Sequence, residues 1–571
     1  MTPEPDFERM VEEEQERLRG EQPRKSGRPA ATTGAEFSGF GNEPRRQPLP
    51  RICSNGRQLR DISNDALRAL QAANDPPSLF ARSGIMVAIG PNERQQQVIR
   101  KVDADALCGY LARSADYFKM VKKSQSGNAE KFDCPPPQTL VRDIHSMAPG
   151  YWGFPPLEAV IDSPILRPDF SVLEVPGYDP VTKLYYAPDS ALEVPPIPEE
   201  PSREHINSAL ALIEQVIGEF PFEDDGSKAN AIAALLTPIV RPAIEAPVPM
   251  GLLDAPQAGT GKSLLCDVAS IIVTGQAGRM FSAPKDEDEW RKIITTVLMS
   301  GAAVAIFDNI VRPLENADLC SVLTASTWAD REMKTHNEIA LPVRTTFLAS
   351  GNNIRLAGDM PRRCFKVRLD AKCSQPYLRT GPAKGKAFAI QDLKAWTILH
   401  RGALLAALLT LARAWFVAGR PKPTVTPLGS FEKWTITIGG ILEHAGINGF
   451  MTNAGEMYRE ADEESTQWEA FLLMVQVLFP EPFTTAAVAD ELQGKTLDTE
   501  KHITEPGKRA MQLRSALPDS LLEVADKDAL FRRRLGKLLG ERVERRYGKD
   551  QVHLKRGKLL HGSQQWEVRK G

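Results

Sequence analysis

The segment Met250-Gly251-Leu252-Leu253-Asp254-Ala255, Pro256 to Gly261, then Lys262 to Ile272 constrains this chain more than any other. It reads as a short buried strand, a glycine-containing loop and a helix. A helix that begins on such a loop leaves backbone N–H groups without partners, and these donors together with the helix dipole attract an anion. The loop carries the second half of the pattern GxxxxGK[ST] as Gly259-Thr260-Gly261-Lys262-Ser263, with Leu264 following, and has Pro256 where the first half asks for glycine. In that frame the amides of Gly259 to Lys262 cradle phosphate oxygens, Lys262 reaches the β and γ phosphates of ATP, and the Ser263 hydroxyl coordinates Mg²⁺. A glycine-rich turn ahead of an unrelated helix gives the same five residues; the strand before and the helix after argue for the phosphate loop.

Three later elements fall in an order that such a loop requires. Ala302 to Phe307 is an apolar strand ending in Asp308, a carboxylate placed to hold Mg²⁺ through water. Asn309 follows where a catalytic glutamate is common, and an amide cannot act as a general base. It can orient water, with a carboxylate such as Glu289 on the preceding Asp286 to Leu298 helix doing the proton work; a solvated helix face accounts for Glu289 equally well. Thr345 to Ala349 is a third apolar strand ending in Ser350-Gly351-Asn352-Asn353, whose Asn352 is a candidate sensor of the γ-phosphate, although Asn-Asn is also a turn signal. Arg362 and Arg363 in Gly358-Asp359-Met360-Pro361-Arg362-Arg363 are candidates for an arginine presented to a neighbouring subunit's nucleotide, with a surface ion-pair face as the alternative.

At 571 residues the chain exceeds one core, and three or four domains are expected. Residues 1–50 have the composition of a disordered tail, 51–195 that of a small α/β accessory domain with Asp103 as a helix N-cap, and Pro195 to Pro201 that of a linker. Alternating strands and helices over 196–385 predict a parallel sheet covered on both faces. A Leu/Ala-rich helical region occupies 386–475 and a basic, winged-helix-like domain 476–571. The most apolar stretch, Ala403 to Gly419, contains Arg413 and is shorter than the roughly 20 residues of a spanning helix, so a buried helix and no membrane partner are expected. Seven scattered cysteines without a CxxC pair argue against a zinc site and a disulfide framework, and with no apolar leader they fit a reducing cytoplasm.

With these elements in order the chain resembles the AAA+ class of ring-forming ATPases. More narrowly, it resembles the replication-associated ATPase and helicase modules of phages and integrative mobile elements, which are similar to superfamily 3 helicases. The residues that carry the resemblance are Gly259-Thr260-Gly261-Lys262-Ser263, Phe307-Asp308-Asn309, Ser350-Gly351-Asn352-Asn353 and Asp359-Met360-Pro361-Arg362-Arg363. Two flanking pieces add to it, Pro164 to Asp169 running on to Pro176-Gly177-Tyr178-Asp179, and Gly439 to Gly446. It covers about 150–460 and implies a homo-oligomer, a hexameric ring, moving on DNA at the expense of Mg-ATP, with a primase or other replication proteins as partners. Residues 51–195 show no convincing set of metal-binding carboxylates, so primase activity is not expected of this chain itself.

The net charge of −2 means that any nucleic-acid surface is local. Between the second and third strands, Arg331, Lys334, His336 and Arg344 lie in a region that forms a pore hairpin in related rings, where cations grip phosphates; an exposed turn is the alternative. From Phe531 onward there are 13 Lys/Arg against four Asp/Glu, a local charge of +9. The candidate contacts are Arg532, Arg533, Arg534 and Lys537 on a helix, and Arg556 and Lys558 in a turn between two strands, with Thr484 capping an earlier helix. Three functions remain open on these residues: a DNA helicase or translocase, a non-unwinding loader or remodeler, and a weakly hydrolysing ATP-dependent DNA-binding switch.

Overall fold

The structure is a computed structural model describing residues 48–571, apart from 94, 123–128, 332–337, 384–385, 462, 495–505, 549 and 561. The tail expected over 1–50 lies, except for its last three residues, outside the described residues. The described chain is mixed α/β, with 18 α-helices and an all-parallel five-stranded sheet beside smaller sheets. It forms two compact units, one within residues up to 452, the other made of 453–571 with the short pieces 313–315 and 355–362.

In the first unit, α1 (Arg203–Ile217) opens on a capping box in which Ser202 and His205 satisfy each other's backbone N–H groups. Helix α2 (Asp225–Ile244) is capped by Asp224 and extends well beyond the Ala229 to Leu236 stretch that periodicity predicts. It retains Pro238 and Pro242 inside, because burial of nearly every residue outweighs two missing N–H groups. Next come β1 (Met250–Ala255), α3 (Lys262–Thr274), β2 (Met280–Ser282), α4 (Glu287–Ser300) and β3 (Val304–Ile310). After α5 (Ala317–Thr324) a two-stranded ribbon, β4 (Thr327–Arg331) and β5 (Glu338–Pro342), precedes β6 (Thr346–Asn352) and β7 (Cys364–Arg368).

The sheet order is β2-β3-β6-β1-β7. Successive crossovers carry the chain from β1 to the β2 edge and back through β3 and β6, before β7 is laid on the other side of β1. Strand β1 therefore sits where the order reverses, and a crevice opens there beyond the carboxyl ends of the strands. Every residue of β1 is buried, as a strand with both faces covered must be, which explains its unbroken apolar run.

Residues 51–186 belong to the same unit. Leu79–Arg82, Ile85–Pro91 and Gln97–Lys101 form an antiparallel sheet, and the helix Ala104–Ser114 starts where expected, the Asp103 carboxylate accepting from Ala106 N–H. The turn expected over Pro176 to Pro180 lies later. Gly177–Asp179 pairs with Leu184–Tyr186, and the chain reverses over 180–183, where Asp179 accepts from the Thr182 N–H and hydroxyl and Lys183 takes a positive φ. Arg82 is buried and donates to the last carbonyls of α4, Leu298 and Met299. Helix α6 (Arg401–Val417) is the apolar stretch read as a buried helix, and it is buried along most of its length. No single described helix is long and apolar enough to cross a membrane.

The second unit contains α7 (Glu463–Leu478), β8 (Phe483–Thr484), α8 (Thr485–Leu492), α9 (Asp528–Glu541), β9 (Arg546–Tyr547), β10 (Val552–Leu560) and β11 (Ser563–Arg569). Its antiparallel sheet runs β8-β11-β10-β9. Trp468, Phe471 and Val475 of α7 share a core with Phe531, Leu535 and Leu539 of α9, so the end of the predicted helical region packs with the basic segment. Thr484 caps α8 as expected, its hydroxyl accepting from Ala487 N–H. The turn expected at Arg556-Gly557-Lys558 is instead continuous strand, with a bulge between Arg556 and Leu559 and the reversal after Leu560.

Candidate functional site

At the carboxyl end of β1 the loop 256–261 leads into α3, and its backbone angles decide which residues it accepts. Gly259 and Gly261 have φ of 82° and 104°, which only glycine adopts without strain. Pro256 is not among the positive-φ residues, so the missing first glycine leaves the loop geometry intact. Gly259 is also held by proximity: a Cβ there would lie 2.7 Å from Tyr377 Cβ and 2.9 Å from Tyr377 N.

Residues from three strand ends meet at this loop. The Lys262 ammonium donates to Asn352 Oδ1 at 2.8 Å, to Gln257 O at 3.0 Å and to Thr260 Oγ1 at 3.2 Å. Burial pushes its pKa below the ordinary lysine value, while Asp254 and Asp308 pull in the opposite direction. The Ser263 hydroxyl donates to Asp308 Oδ1 at 3.2 Å, and Ser350 donates to the same oxygen. Thus two bonded pairs, Lys262 with Asn352 and Ser263 with Asp308, bring residues spread over 90 positions of sequence to the point where the sheet order reverses. A hydroxyl and a carboxylate in contact are the oxygen pair a nucleotide-bound Mg²⁺ takes from protein. Among the described residues no cluster of three His, Cys, Asp or Glu is placed to hold a metal by itself, and a Mg²⁺ completed by phosphates and water needs none.

Asn309 follows Asp308 with φ 58°, left-handed and exposed, at an irregularity in the pairing of β3 with β6. Asparagine tolerates that conformation better than glutamate, a local reason for the amide at this position. Gly351 makes room for the irregularity, since a Cβ on it would approach Ile310 O to 2.7 Å. Glu289 is exposed on the first turn of α4 and ion-paired with Lys292 at 2.6 Å, with no bond to the group around Asp308.

Beside the loop lies a cavity of about 530 Å³, lined by Gly259, Thr260, Gly261 and Leu264 together with Phe220, Tyr377, Phe388 and Ile390. It is apolar and aromatic on one side and continuous with the loop on the other, the shape that a flat heterocycle attached to phosphates needs. Neither Phe220 nor the 376–394 segment was marked by the sequence pattern, because its contact with the loop is made entirely by tertiary folding.

Sequence reading also passed over a charged network beneath the loop. Asp254 is fully buried in β1, takes an ion pair from Arg368 and another from Lys366 at 3.4 Å, and accepts from Ile354 N–H at 2.9 Å. It thereby fixes β1 to β7 and to the chain just after Asn352. The available signal was an acid inside an apolar strand, matched by two cations two residues apart in Cys364–Arg368.

The arginine pair divides. Arg363 donates to Cys320 O at 2.7 Å and Thr324 Oγ1 at 2.8 Å, closing the carboxyl end of α5. Arg362 is ion-paired with Asp359, and its side chain is 56% exposed. The β4–β5 ribbon occurs where a hairpin was expected, with Arg331 exposed at its far end; Lys334 and His336 lie outside the described residues. Arg344 is not part of the ribbon but precedes β6, where it pairs with Glu158 at 2.6 Å.

The basic residues of the second unit divide in the same way. Arg532 pairs with Asp528 at 2.6 Å and Asp490 at 2.9 Å, and Arg534 with Glu523 at 3.4 Å. Arg533 is exposed with no ion pair among the described residues, Lys537 is 77% exposed, and Arg556 and Lys558 are exposed on β10. Helix α8 is followed by the helices Pro506–Ser515 and Asp519–Leu522, then by α9 and the hairpin β10–β11.

No protein-family model matches the chain, and no curated protein matches it.

Proposed function

We propose that the chain binds and hydrolyses Mg-ATP at the loop 256–263 and couples the hydrolysis to movement on DNA, as a ring-forming ATPase of the AAA+ class with a helicase or translocase role in replication of a phage or mobile element. The observation that carries this reading is the convergence of Lys262, Ser263, Asp308 and Asn352 at the switch point of a parallel sheet, next to an aromatic cavity. Backbone amides at the start of α3 hold phosphate oxygens, and Lys262 exchanges its bond to Asn352 for the β and γ phosphates. Ser263 and Asp308 hold the Mg²⁺, which supplies neutralisation of charge on the transferring phosphoryl group. Asn352, released by Lys262, faces the γ-phosphate and reports its loss.

A second reading is favoured by one feature. The left-handed Asn309 leaves no carboxylate next to Asp308, which suits a switch that binds ATP and DNA but turns over slowly. Steady-state ATP turnover with and without single-stranded DNA, combined with unwinding of a forked duplex, tests the readings. Stimulated turnover with unwinding supports the helicase, turnover without unwinding the loader or remodeler, and tight ATP binding without turnover the switch. A folded protein that binds no nucleotide overturns all three.

A further inference from the structure

We propose that the β10–β11 hairpin is a strand-separating wedge, with Leu559 stacking on the terminal base pair of a DNA junction while Arg533, Lys537, Arg556 and Lys558 hold the adjoining phosphates. This rests on the nucleic-acid part of the reading above and not on the nucleotide site. Arg533, Lys537 and Gly540 are spaced i, i+4, i+7 and share a stripe of α9 about 10 Å long. A Cβ on Gly540 would lie 3.7 Å from Arg556 Nη2, so the stripe continues directly onto β10. The two other arginines of α9 are held by carboxylates of their own unit at 2.6 to 3.4 Å, whereas Arg533 is exposed with no ion pair among the described residues and Lys537, 77% exposed, meets Glu541 at the longer distance of 3.8 Å.

The bulge determines where the track ends. Arg556 pairs with Trp566 and Leu559 with Gln564, so three steps along β10 match two along β11. In a regular strand, residues three apart point to opposite faces; the extra residue puts Leu559 on the same face as Arg556 and α9. Gly557 permits this, since a Cβ there would already sit 3.1 Å from Gln565 Cβ. Leu559 is 72% exposed and Leu560 48%, an apolar tip on a cationic hairpin. An apolar side chain beside phosphate-binding cations is the device by which proteins enter between base steps, and the charge selects nucleic acid over an apolar protein face.

The test uses the full chain without nucleotide and a forked duplex carrying 2-aminopurine in the first base pair at the junction. Binding of wild type should raise the fluorescence, and Leu559→Ser, compared at saturating protein, should lose most of the rise. Leu559→Phe should retain it, which separates lost stacking from lost structure. Arg533→Ala/Lys537→Ala should weaken binding and lower the salt slope by about 2. An unchanged rise in Leu559→Ser, or binding by wild type with no rise, would overturn the wedge, as would failure of wild type to bind the fork. Because no ATP is present, failure of the nucleotide site would appear only in the turnover assay and leave this result standing.

Discussion

Lys262 and three arginines of the first unit are all buried, and their partners distinguish them. At the carboxyl ends of the strands, Lys262 is bonded to a side-chain oxygen brought in from another strand, Asn352 Oδ1, as well as to its own loop. Elsewhere, Arg82, Arg241 and Arg401 are bonded to main-chain carbonyls: Leu298 and Met299, Ala246 and Val343, and Ile272 and Val273. Burial pushes Arg82 down to about 10 and Arg241 to about 9, and lowers Arg401 as well. A carbonyl at a helix end is a fixed acceptor, so a cation spent on it closes a fold. A side-chain oxygen can be exchanged for a ligand. Among these four, partner type separates the structural cations from the one available for chemistry; Lys366 and Arg368, paired with the fully buried Asp254, are structural because that carboxylate is locked in the core.

That distinction is broken or sharpened most strongly by comparing Lys262→Ala with Arg401→Ala. The first should reduce ATP turnover by on the order of 10³ or more in protein that still folds, since it removes a phosphate contact. The second should cost about 3 kcal/mol of stability, because it strips partners from Ile272, Val273 and Asp162 carbonyls at once. Its turnover per folded molecule should stay close to wild type. Calorimetry alongside steady-state kinetics reads both; near-normal turnover by folded Lys262→Ala removes the loop from the chemistry. Asp308→Ala should lose Mg²⁺-dependent hydrolysis by about 10² or more with ATP binding reduced far less, and equal loss of the two would make Asp308 structural.

The arginine pair extends the comparison to adjacent residues. Arg363, bonded to the Cys320 carbonyl, belongs with the structural cations, and Arg363→Ala should destabilise by about 1–2 kcal/mol. Arg362, exposed and ion-paired with Asp359, is the member expected to act on ATP bound by a neighbouring copy. Arg362→Ala should bind ATP and hydrolyse it about 10³-fold more slowly. Mixed with Lys262→Ala protein it should regain turnover, because mixed rings contain interfaces that join one intact loop to one intact arginine. No recovery in verified mixed oligomers would return Arg362 to a surface ion pair.

How much of this was legible depends on the range over which each feature is determined. The strand, glycine loop and helix around Lys262 are local, and a buried strand followed by positive-φ glycines leaves a direct trace in sequence. So do the caps at Asp103 and Thr484, each a side chain bonding three residues ahead. Arg344 and Arg363 were placed by their order along the chain, and order is silent about a partner 186 or 43 positions away. Asp254 read as part of an apolar run because its cations arrive from β7 by sheet pairing. The turn at 556–558 was misplaced for a related reason. Arg-Gly-Lys has turn chemistry, but Gly557 serves a bulge against Gln565, which only the paired strand shows.

A last comparison separates stability from turnover by pH. Burial raises the Asp162 carboxyl to about 6, Arg401 offsetting part of this and Asp189 adding to it. Its folded pKa lies above the ordinary value of 3.8, so the folded state holds the proton more tightly than the unfolded chain. The stability this contributes is fully present below about pH 4 and lost as the pH rises through about 6, a change of about 2 kcal/mol allowing for the part of the group that water reaches. Asp162→Asn should abolish that change. Denaturant midpoints of wild type and variant should therefore differ in their dependence between pH 4 and 7, while ATP turnover near neutrality stays the same in both. If Asp162→Asn instead altered turnover without altering the pH dependence of stability, the Arg401 region would belong with the exchangeable cations, and the division by partner type would fail at the residue that defines it best.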